Sequence, residues 1–419
     1  MPNYQRVVVY FIALVTSNDR FVQFVGSFGS LEPSEPTNQR TERTEHLSML
    51  ARSLIPVTLA RMRTDLFDYS LPEDRIAQEP ANPRDSSRLL VLDRETGETK
   101  HLHFSDIMDE LDAGDLLIVN ESKVFKARLT GGVVDKGRPE GSPLRAVEVF
   151  LIRPDTDTDT DTDTATNWIT LAKPGKKLKI GDAIRFDGNV EATVKEKRSE
   201  DGTVILTFNR TPEEIIAWTD TAGSVPVPPY VKATPSNTKQ YQTVYAKNVG
   251  SVAAPTAGFH FTPELIEKLK AKGIKFATIT LHVGLGTFRP VQTDDLDDHV
   301  MHEEWVSVPH EVRDLIKQTR AAGHRTIAVG TTTVRALESD LEQGFTNIFI
   351  KPGYSFKWVD GLITNFHLPK STLLVLISAF IGEHHADADE GRRIALATYE
   401  EAIKKEYRFY SFGDAMLIE

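Results

Sequence analysis

The chain contains no cysteine in its 419 residues. Disulfides, thiolate metal sites, a cysteine nucleophile and cysteine-ligated iron–sulfur clusters are therefore excluded. A long apolar run is also missing: the longest near the start, Val7 to Val15, is too short to span a bilayer. One arginine precedes it and no small-residue cleavage site follows, so it does not read as a signal peptide. Nor is there an excess of positive charge. A net charge of −11 argues against a surface coated for bulk nucleic-acid binding and leaves room only for local basic patches. The expectation is a cytoplasmic protein with no membrane association.

With 40% hydrophobic residues, the chain can build two domains with real cores. Residues 1–61 are read as an extension outside the fold, either disordered or the product of an upstream start. Gly29 to Thr44 within it is rich in Ser, Thr, Glu, Pro and Arg, and Met62 opens domain-like sequence. Short buried-strand runs at Leu89 to Leu92 and Leu116 to Asn120 flank a helical Phe104 to Leu111, with Ser105 as N-cap. The texture then changes to alternation. Val147 to Ile152, Trp168 to Leu171, Ala183 to Phe186, Ala192 to Lys195 and Val204 to Phe208 are separated by Gly and Asp turns, the pattern of a small antiparallel barrel. The run Asp155-Thr-Asp-Thr-Asp-Thr-Asp-Thr-Asp163 lacks the glycine and terminal glutamate of a calcium loop and reads as a solvated hairpin tip.

Beyond the stiff Pro226-Val-Pro-Pro-Tyr230 connector, strands alternate with helices. The expected helices are one N-capped at Thr262 and stopped by Gly273, then Pro309 to Ala322, Thr333 to Glu342, Ser371 to Ile381 and Glu390 to Lys405. Strands are expected at Ile274 to Val283, Arg325 to Val329, Asn347 to Ile350 and Leu362 to Phe366. The fold class that follows is α/β: a mainly parallel three-layer sheet domain with an inserted small antiparallel β-barrel. Its parts are 62–123 (first part of the α/β domain), 124–226 (barrel) and 227–419 (second part).

In such a sheet ligands sit at the carboxyl ends of the strands, and the polar, His-bearing segments fall there. His282 and the Gly284-Leu-Gly286 turn follow one strand; Gly330, Thr331, Thr332 and Thr333 follow another and start a helix, whose N–H groups can hold a carboxylate or phosphate. Asn365 and His367 follow a third, and Thr256 and His260 lie just before a helix. Arg335 reads as an anion clamp. His299, His302 and Glu303 lack the spacing of a zinc helix and read as an acid–base cluster rather than a metal site. Gly330 to Thr333 is no P-loop, and Gly284-x-Gly286 alone is a weak dinucleotide signal. Lys123, Lys126 and Arg128 form one basic group; Lys173, Lys176 and Lys177, within Lys173-Pro-Gly-Lys-Lys-Leu-Lys179, form another.

These segments, with Leu66-Phe-Asp-Tyr-Ser-Leu-Pro72, Tyr241-Gln-Thr-Val-Tyr245 and Tyr407-Arg-Phe-Tyr-Ser-Phe-Gly-Asp-Ala-Met416, resemble the S-adenosylmethionine:tRNA ribosyltransferase-isomerase family of queuosine biosynthesis. The resemblance implies an α/β domain with an inserted barrel. It implies transfer and isomerisation of the ribosyl moiety of S-adenosylmethionine onto 7-aminomethyl-7-deazaguanine at the tRNA wobble position, with loss of adenine and methionine. S-adenosylmethionine is then a co-substrate, no cofactor is needed, and the tRNA partner carries a GUN anticodon; a monomer is expected. Proton transfers at the sulfonium-activated carbon, the leaving adenine and the attacking amine suit imidazoles. His282, His302 and Glu303 are assigned the base and acid, with His260 and His367 as alternates. Thr256, Gly284, Gly286, Gly330 to Thr333, Arg335, Asn365 and His367 would bind substrate, Arg335 and the threonine turn taking the methionine carboxylate. The two basic groups would contact tRNA phosphates. Another S-adenosylmethionine-using RNA enzyme such as a tRNA methyltransferase, a non-catalytic RNA-binding module and a metallohydrolase are the rival readings.

Overall fold

A computed structural model describes residues 62–134, 144–155, 166–199, 202–226, 230–232, 238–284 and 290–419. Residues 1–61, most of the Asp-Thr run and Gly286 lie outside them. The strands are β1 (Arg88–Leu92), β2 (Thr99–His103), β3 (Leu116–Asn120), β4 (Ser122–Val124), β5 (Arg128–Val134), β6 (Arg145–Pro154), β7 (Thr166–Lys173), β8 (Ala183–Phe186), β9 (Val190–Lys197), β10 (Val204–Phe208), β11 (Asn248–Ser251), β12 (Lys275–Leu281), β13 (Glu304–Ser307), β14 (Thr326–Val329), β15 (Gln343–Thr346), β16 (Gly361–Asn365) and β17 (Ala415–Ile418).

Nine of these strands form one sheet in the order β15-β13-β12-β3-β14-β16-β17-β1-β2. Its centre, β12-β3-β14-β16, is parallel, as is β17 with β1; the pairings of β13, β15 and β2, and of β16 with β17, are antiparallel. Successive strand residues face opposite sides. Leu90, Leu92, Leu116 and Ile118 join one core with the helices His310–Ala321, Thr331–Glu338, Thr372–Gly382 and Glu390–Lys404. Leu89, Val91, Leu117 and Val119 join a second core, on the other face, with Pro263–Lys272. Helix Thr372–Gly382 is apolar nearly all round because it packs between the sheet and Glu390–Lys404.

The barrel closes in the order β10-β7-β6-β5-β8-β9 around Val149, Leu151, Trp168, Ile184, Leu206 and Phe208. Helix Pro212–Ala222, absent from the sequence reading, follows it, with a Thr211/Glu214 capping box and Ile215 in the barrel core. Where the chain leaves and re-enters the α/β domain, β4 and β11 pair in parallel as a two-stranded neck.

Two boundaries differ from the sequence expectation for local reasons. The helix after β14 spans Thr331–Glu338, earlier at both ends than Thr333 to Glu342. It starts at once because Gly330, at φ 93°, turns the chain sharply out of the strand. It stops before Asp340, which sits at φ 60°. The strand expected at Asn347 to Ile350 lies instead at Gln343–Thr346, antiparallel to β13, with Gly344 inside it.

Candidate active site

The carboxyl ends of the parallel strands meet on one edge of the sheet. Register pairs Val329 with Val119 and with Ile363, and Ile279 with Asn120, so Asn120, Leu281, Val329 and Asn365 end together. From β3 the chain returns to the sheet at β12 on one side, with Pro263–Lys272 on one face. From β14, on the other side of β3, it continues outward to β16 through Thr331–Glu338 on the opposite face. Strand order therefore reverses beside β3, the topological switch at which a doubly wound sheet opens a crevice. Buried Asn120 fixes this edge: its Oδ1 accepts from Leu281 N at 3.1 Å, and its Nδ2 donates to Leu281 O at 2.9 Å and Thr332 Oγ1 at 3.4 Å.

An open cleft lies here, about 610 Å³ when the solvent space at its mouth is included. Its walls are built from Ala254 to Ala257, Val283, Gly330 to Thr332, Thr364 to Leu368, and Tyr230, Tyr410 and Ser411. Among the described residues no Lys, Arg, Asp or Glu lines it. Of the residues singled out in the sequence, Thr256, Gly330, Thr331, Thr332, Asn365 and His367 line it. Thr333 does not, because its hydroxyl turns back to Val329 O at 2.7 Å in the helix's first turn.

His367 is the imidazole in the wall. The Tyr399 hydroxyl accepts from His367 N at 3.1 Å and lies 3.4 Å from the ring's Nδ1. Burial pushes its pKa down to about 3, so the ring is neutral across the physiological range. His260 stands behind the wall, 3% exposed. Its Nδ1 meets Ser87 Oγ at 2.8 Å and its Nε2 meets Asn365 Nδ2 at 3.3 Å; burial lowers its pKa to about 4.

The other expected members sit elsewhere. The His282 ring stacks on Trp305, centroids 5.1 Å apart at 18°, and faces Gly250, where a Cβ would come within 2.6 Å of Nε2. Its Nδ1 is buried without a hydrogen-bond partner among the described residues, and burial lowers its pKa to about 4. Only its neighbour Val283 reaches the cleft wall. His302 and Glu303 are exposed, and Glu303 pairs with Arg153 of the barrel at 3.4 Å. Among the described residues no three His, Cys, Asp or Glu side chains gather as a metal site would need.

Arg335 departs furthest from expectation. Its side chain is 5% exposed and its guanidinium is bound to the Glu304 carboxylate, itself 3% exposed. A clamp for a substrate carboxylate would have to break this pair, so the anion-holding role does not fit Arg335. The other Glu304 oxygen accepts from Gly284 N at 2.8 Å, which ties the turn after His282 to the helix after β14. Glu304 was overlooked in favour of its neighbour Glu303. The signal was present as period-2 alternation, since Glu304 shares a face with Val306 and Val308, all buried. Tyr230, Tyr410 and Ser411 were also missed as wall residues. The Tyr230 hydroxyl meets Ser411 Oγ at 2.6 Å, and its ring lies 4.6 Å from that of Tyr410. Tyr410 adopts φ 71°, a strained backbone held by its N–H to Phe366 O at 3.0 Å and by Asn365 Nδ2 donating to its carbonyl at 3.1 Å.

The basic groups divide along the barrel. Lys126 donates to Asp220 O and, with Lys123 and Arg128, lies at the neck end of β5. Lys173, Lys176 and Lys177 are exposed; Lys173 is level with Thr130 through Glu148, and Lys177 lies toward the far end, where Arg145, which pairs with Val133, donates to Lys177 O at 3.0 Å. By the rise of a strand, Arg128 and Val133 are about 17 Å apart. No helix among the described residues is long and apolar enough to cross a membrane.

The family model described as "Queuosine biosynthesis protein" matches residues 64–418. The chain is also similar to the crystal structure of S-adenosylmethionine tRNA ribosyltransferase from Thermotoga maritima. The identity is 39%, over 84% of this chain and 100% of that chain, with a TM-score of 0.46.

Proposed function

This chain belongs to the queuosine biosynthesis protein family, and from that premise we propose that it is an S-adenosylmethionine:tRNA ribosyltransferase-isomerase. It moves the ribosyl part of S-adenosylmethionine onto the aminomethyl group of a 7-deazaguanine at the tRNA wobble position, in tRNAs with GUN anticodons. Epoxyqueuosine forms, and adenine and methionine leave. The structural observation that carries the reading is the uncharged cleft at the strand ends. A sulfonium acidifies its neighbouring carbon through its positive charge, and a wall carboxylate would quench that charge; the described walls offer none.

Thr331 and Thr332, whose N–H groups open helix Thr331–Glu338 and have no intrahelical acceptor, line the cleft and suit the methionine carboxylate, whereas Gly330 N–H is held by Ile363 O at 2.8 Å. Neutral His367 offers a ring N–H to the departing adenine, whose negative charge is stabilised by a donor that need not itself ionise. Tyr230 and Tyr410 supply flat apolar surface for a base. Replacing His367 by alanine is expected to lower turnover by about 10²-fold or more. The same change at His282, whose ring faces Trp305, is expected to cost less. Equal losses at both in single-turnover assays would restore His282 as the base.

Phosphate contacts from the two lysine groups would make tRNA affinity fall steeply with salt. Replacing Lys176 and Lys177 by alanine should then reduce the log–log salt slope by up to about 2. Fluorescence anisotropy of labelled tRNA between about 50 and 200 mM salt measures it; an unchanged slope would remove the far end of the barrel from the RNA footprint.

The decisive experiment incubates the protein with S-adenosylmethionine and tRNA carrying the 7-aminomethyl base, then weighs the digested nucleosides. Epoxyqueuosine with free adenine and methionine is the expected result. S-adenosylhomocysteine in their place would mean methyl transfer.

A further inference from the structure

Asn365 is 3% exposed yet forms part of the cleft wall, and every atom of its amide group has a fixed neighbour. Tyr410 O can only accept, so the atom 3.1 Å from it must be the NH₂ nitrogen. The same nitrogen lies 3.3 Å from His260 Nε2, which must therefore accept and carry no hydrogen. The hydrogen of His260 is then on Nδ1 and points to Ser87 Oγ at 2.8 Å, inside a pocket where burial keeps the ring neutral. His260 and Tyr410 together fix which way the amide points. Its oxygen is left on the side of Thr256, whose hydroxyl is 3.5 Å away, at the outer limit of a hydrogen bond.

We infer that Asn365 is a specificity-determining residue of the cleft: its oxygen, locked in place by His260 and Tyr410, selects a ligand that presents an N–H or O–H at that point. His260 acts through Asn365 and is a positioning residue, not the base or acid of the reaction. The oxygen cannot rotate away, because turning the amide over would set its NH₂ toward Thr256 and its oxygen against Tyr410 O and the Nε2 lone pair. A ligand with an acceptor at this point meets a buried acceptor and is refused; one with a donor replaces the weak Thr256 contact with a stronger one. The assignment rests on the ribosyl-transfer reading for the identity of its ligands. Those ligands offer donors from two sources: the 6-amino, 2′-hydroxyl and α-ammonium groups of S-adenosylmethionine, and the aminomethyl group of the tRNA base.

The test compares affinities of wild type, Asn365→Leu and Thr256→Val. The probes are S-adenosylmethionine and its inosine, 2′-deoxy and desamino counterparts, and tRNA with the 7-aminomethyl base or with guanine. The ratio of two affinities on one preparation does not depend on the folded fraction. Wild type is expected to lose about 10-fold for the one probe that lacks the selected donor. Asn365→Leu is expected to bring that ratio near 1, and Thr256→Val, which removes the competing hydroxyl and leaves the lock intact, to widen it. The probe concerned names the source of the donor. Ratios unchanged by both replacements would overturn the assignment while leaving the ribosyl-transfer reading standing; wild type binding neither S-adenosylmethionine nor the tRNA would overturn both.

Discussion

Replacing Glu304 by alanine is expected to destabilise the fold by about 3–5 kcal/mol, a large part of the roughly 5–15 kcal/mol that holds a domain together. The cost follows from what is left behind. Arg335 stays in the interior with 5% of its side chain exposed, one guanidinium nitrogen, Nη2, already has no hydrogen-bond partner among the described residues, and the carboxylate bound to it is gone. Gly284 N also loses its acceptor. Removing the charge from both partners tells a different story. A buried pair has a desolvation penalty nearly as large as its attraction, so Glu304→Leu with Arg335→Met should cost far less than the single change. Urea unfolding of the two variants measures this. A Glu304→Ala protein within about 1 kcal/mol of wild type would mean that Arg335 finds water or another acceptor. The pair therefore contributes geometry more than stability: it pins the turn after His282 to the helix whose N-terminus forms the opposite wall.

Stability should also fall steeply as the solution is acidified from about pH 6.5 toward pH 4. Burial lowers the folded-state pKa of His260 and His282 to about 4 and of His367 to about 3, against an ordinary 6.5. Below 6.5 the unfolded chain takes up protons that the folded chain refuses, so acid draws the equilibrium toward unfolding. The stabilisation is fully present above pH 6.5 and is lost as pH falls toward the folded values. Three such groups give at most about 4 kcal/mol per pH unit, and partial exposure of His282 and His367 reduces this to about 2–4. Carboxylates held low by partners, such as Asp115 bonded to Arg325, add their own loss only below their ordinary 3.8. Urea melts from pH 7 to pH 4 follow the effect, and His260→Gln should flatten its slope. A level profile between pH 7 and pH 5 would show that the folded rings accept protons.

Much of the fold was written in the sequence because its signals are local. Alternation marked the barrel strands, and Thr262-Pro263 and Gly273 bounded a helix that spans Pro263–Lys272 in the structure. Short apolar runs marked the sheet's parallel centre. Strands on the sheet's flanks escaped: β13 and β15 are four residues each, β2 is half-exposed, and β17, four residues long, is set between β16 and β1 by partners far back in the chain. Four or five residues carry too little pattern to be told from loop, and what makes them strands is a partner far along the chain.

The site divides along the same line. The sequence by itself determined the chemistry on offer: no thiol, no excess of basic charge, and imidazoles, threonines and an asparagine placed just after apolar runs. It also carried the motif order that the family match over residues 64–418 reports. Only the tertiary structure decided which of these face a ligand. Thr331 and Thr332 line the cleft and Thr333 does not, because a helix turns by about 100° per residue and its third hydroxyl points back to Val329. Among the four histidines assigned to base or acid roles, one lines the cleft, one locks an asparagine behind it, one stacks on Trp305 and one is exposed. Glu304 rather than Glu303 meets Arg335 because a strand sends adjacent side chains to opposite faces, and only the strand's place in the sheet says which face is inside.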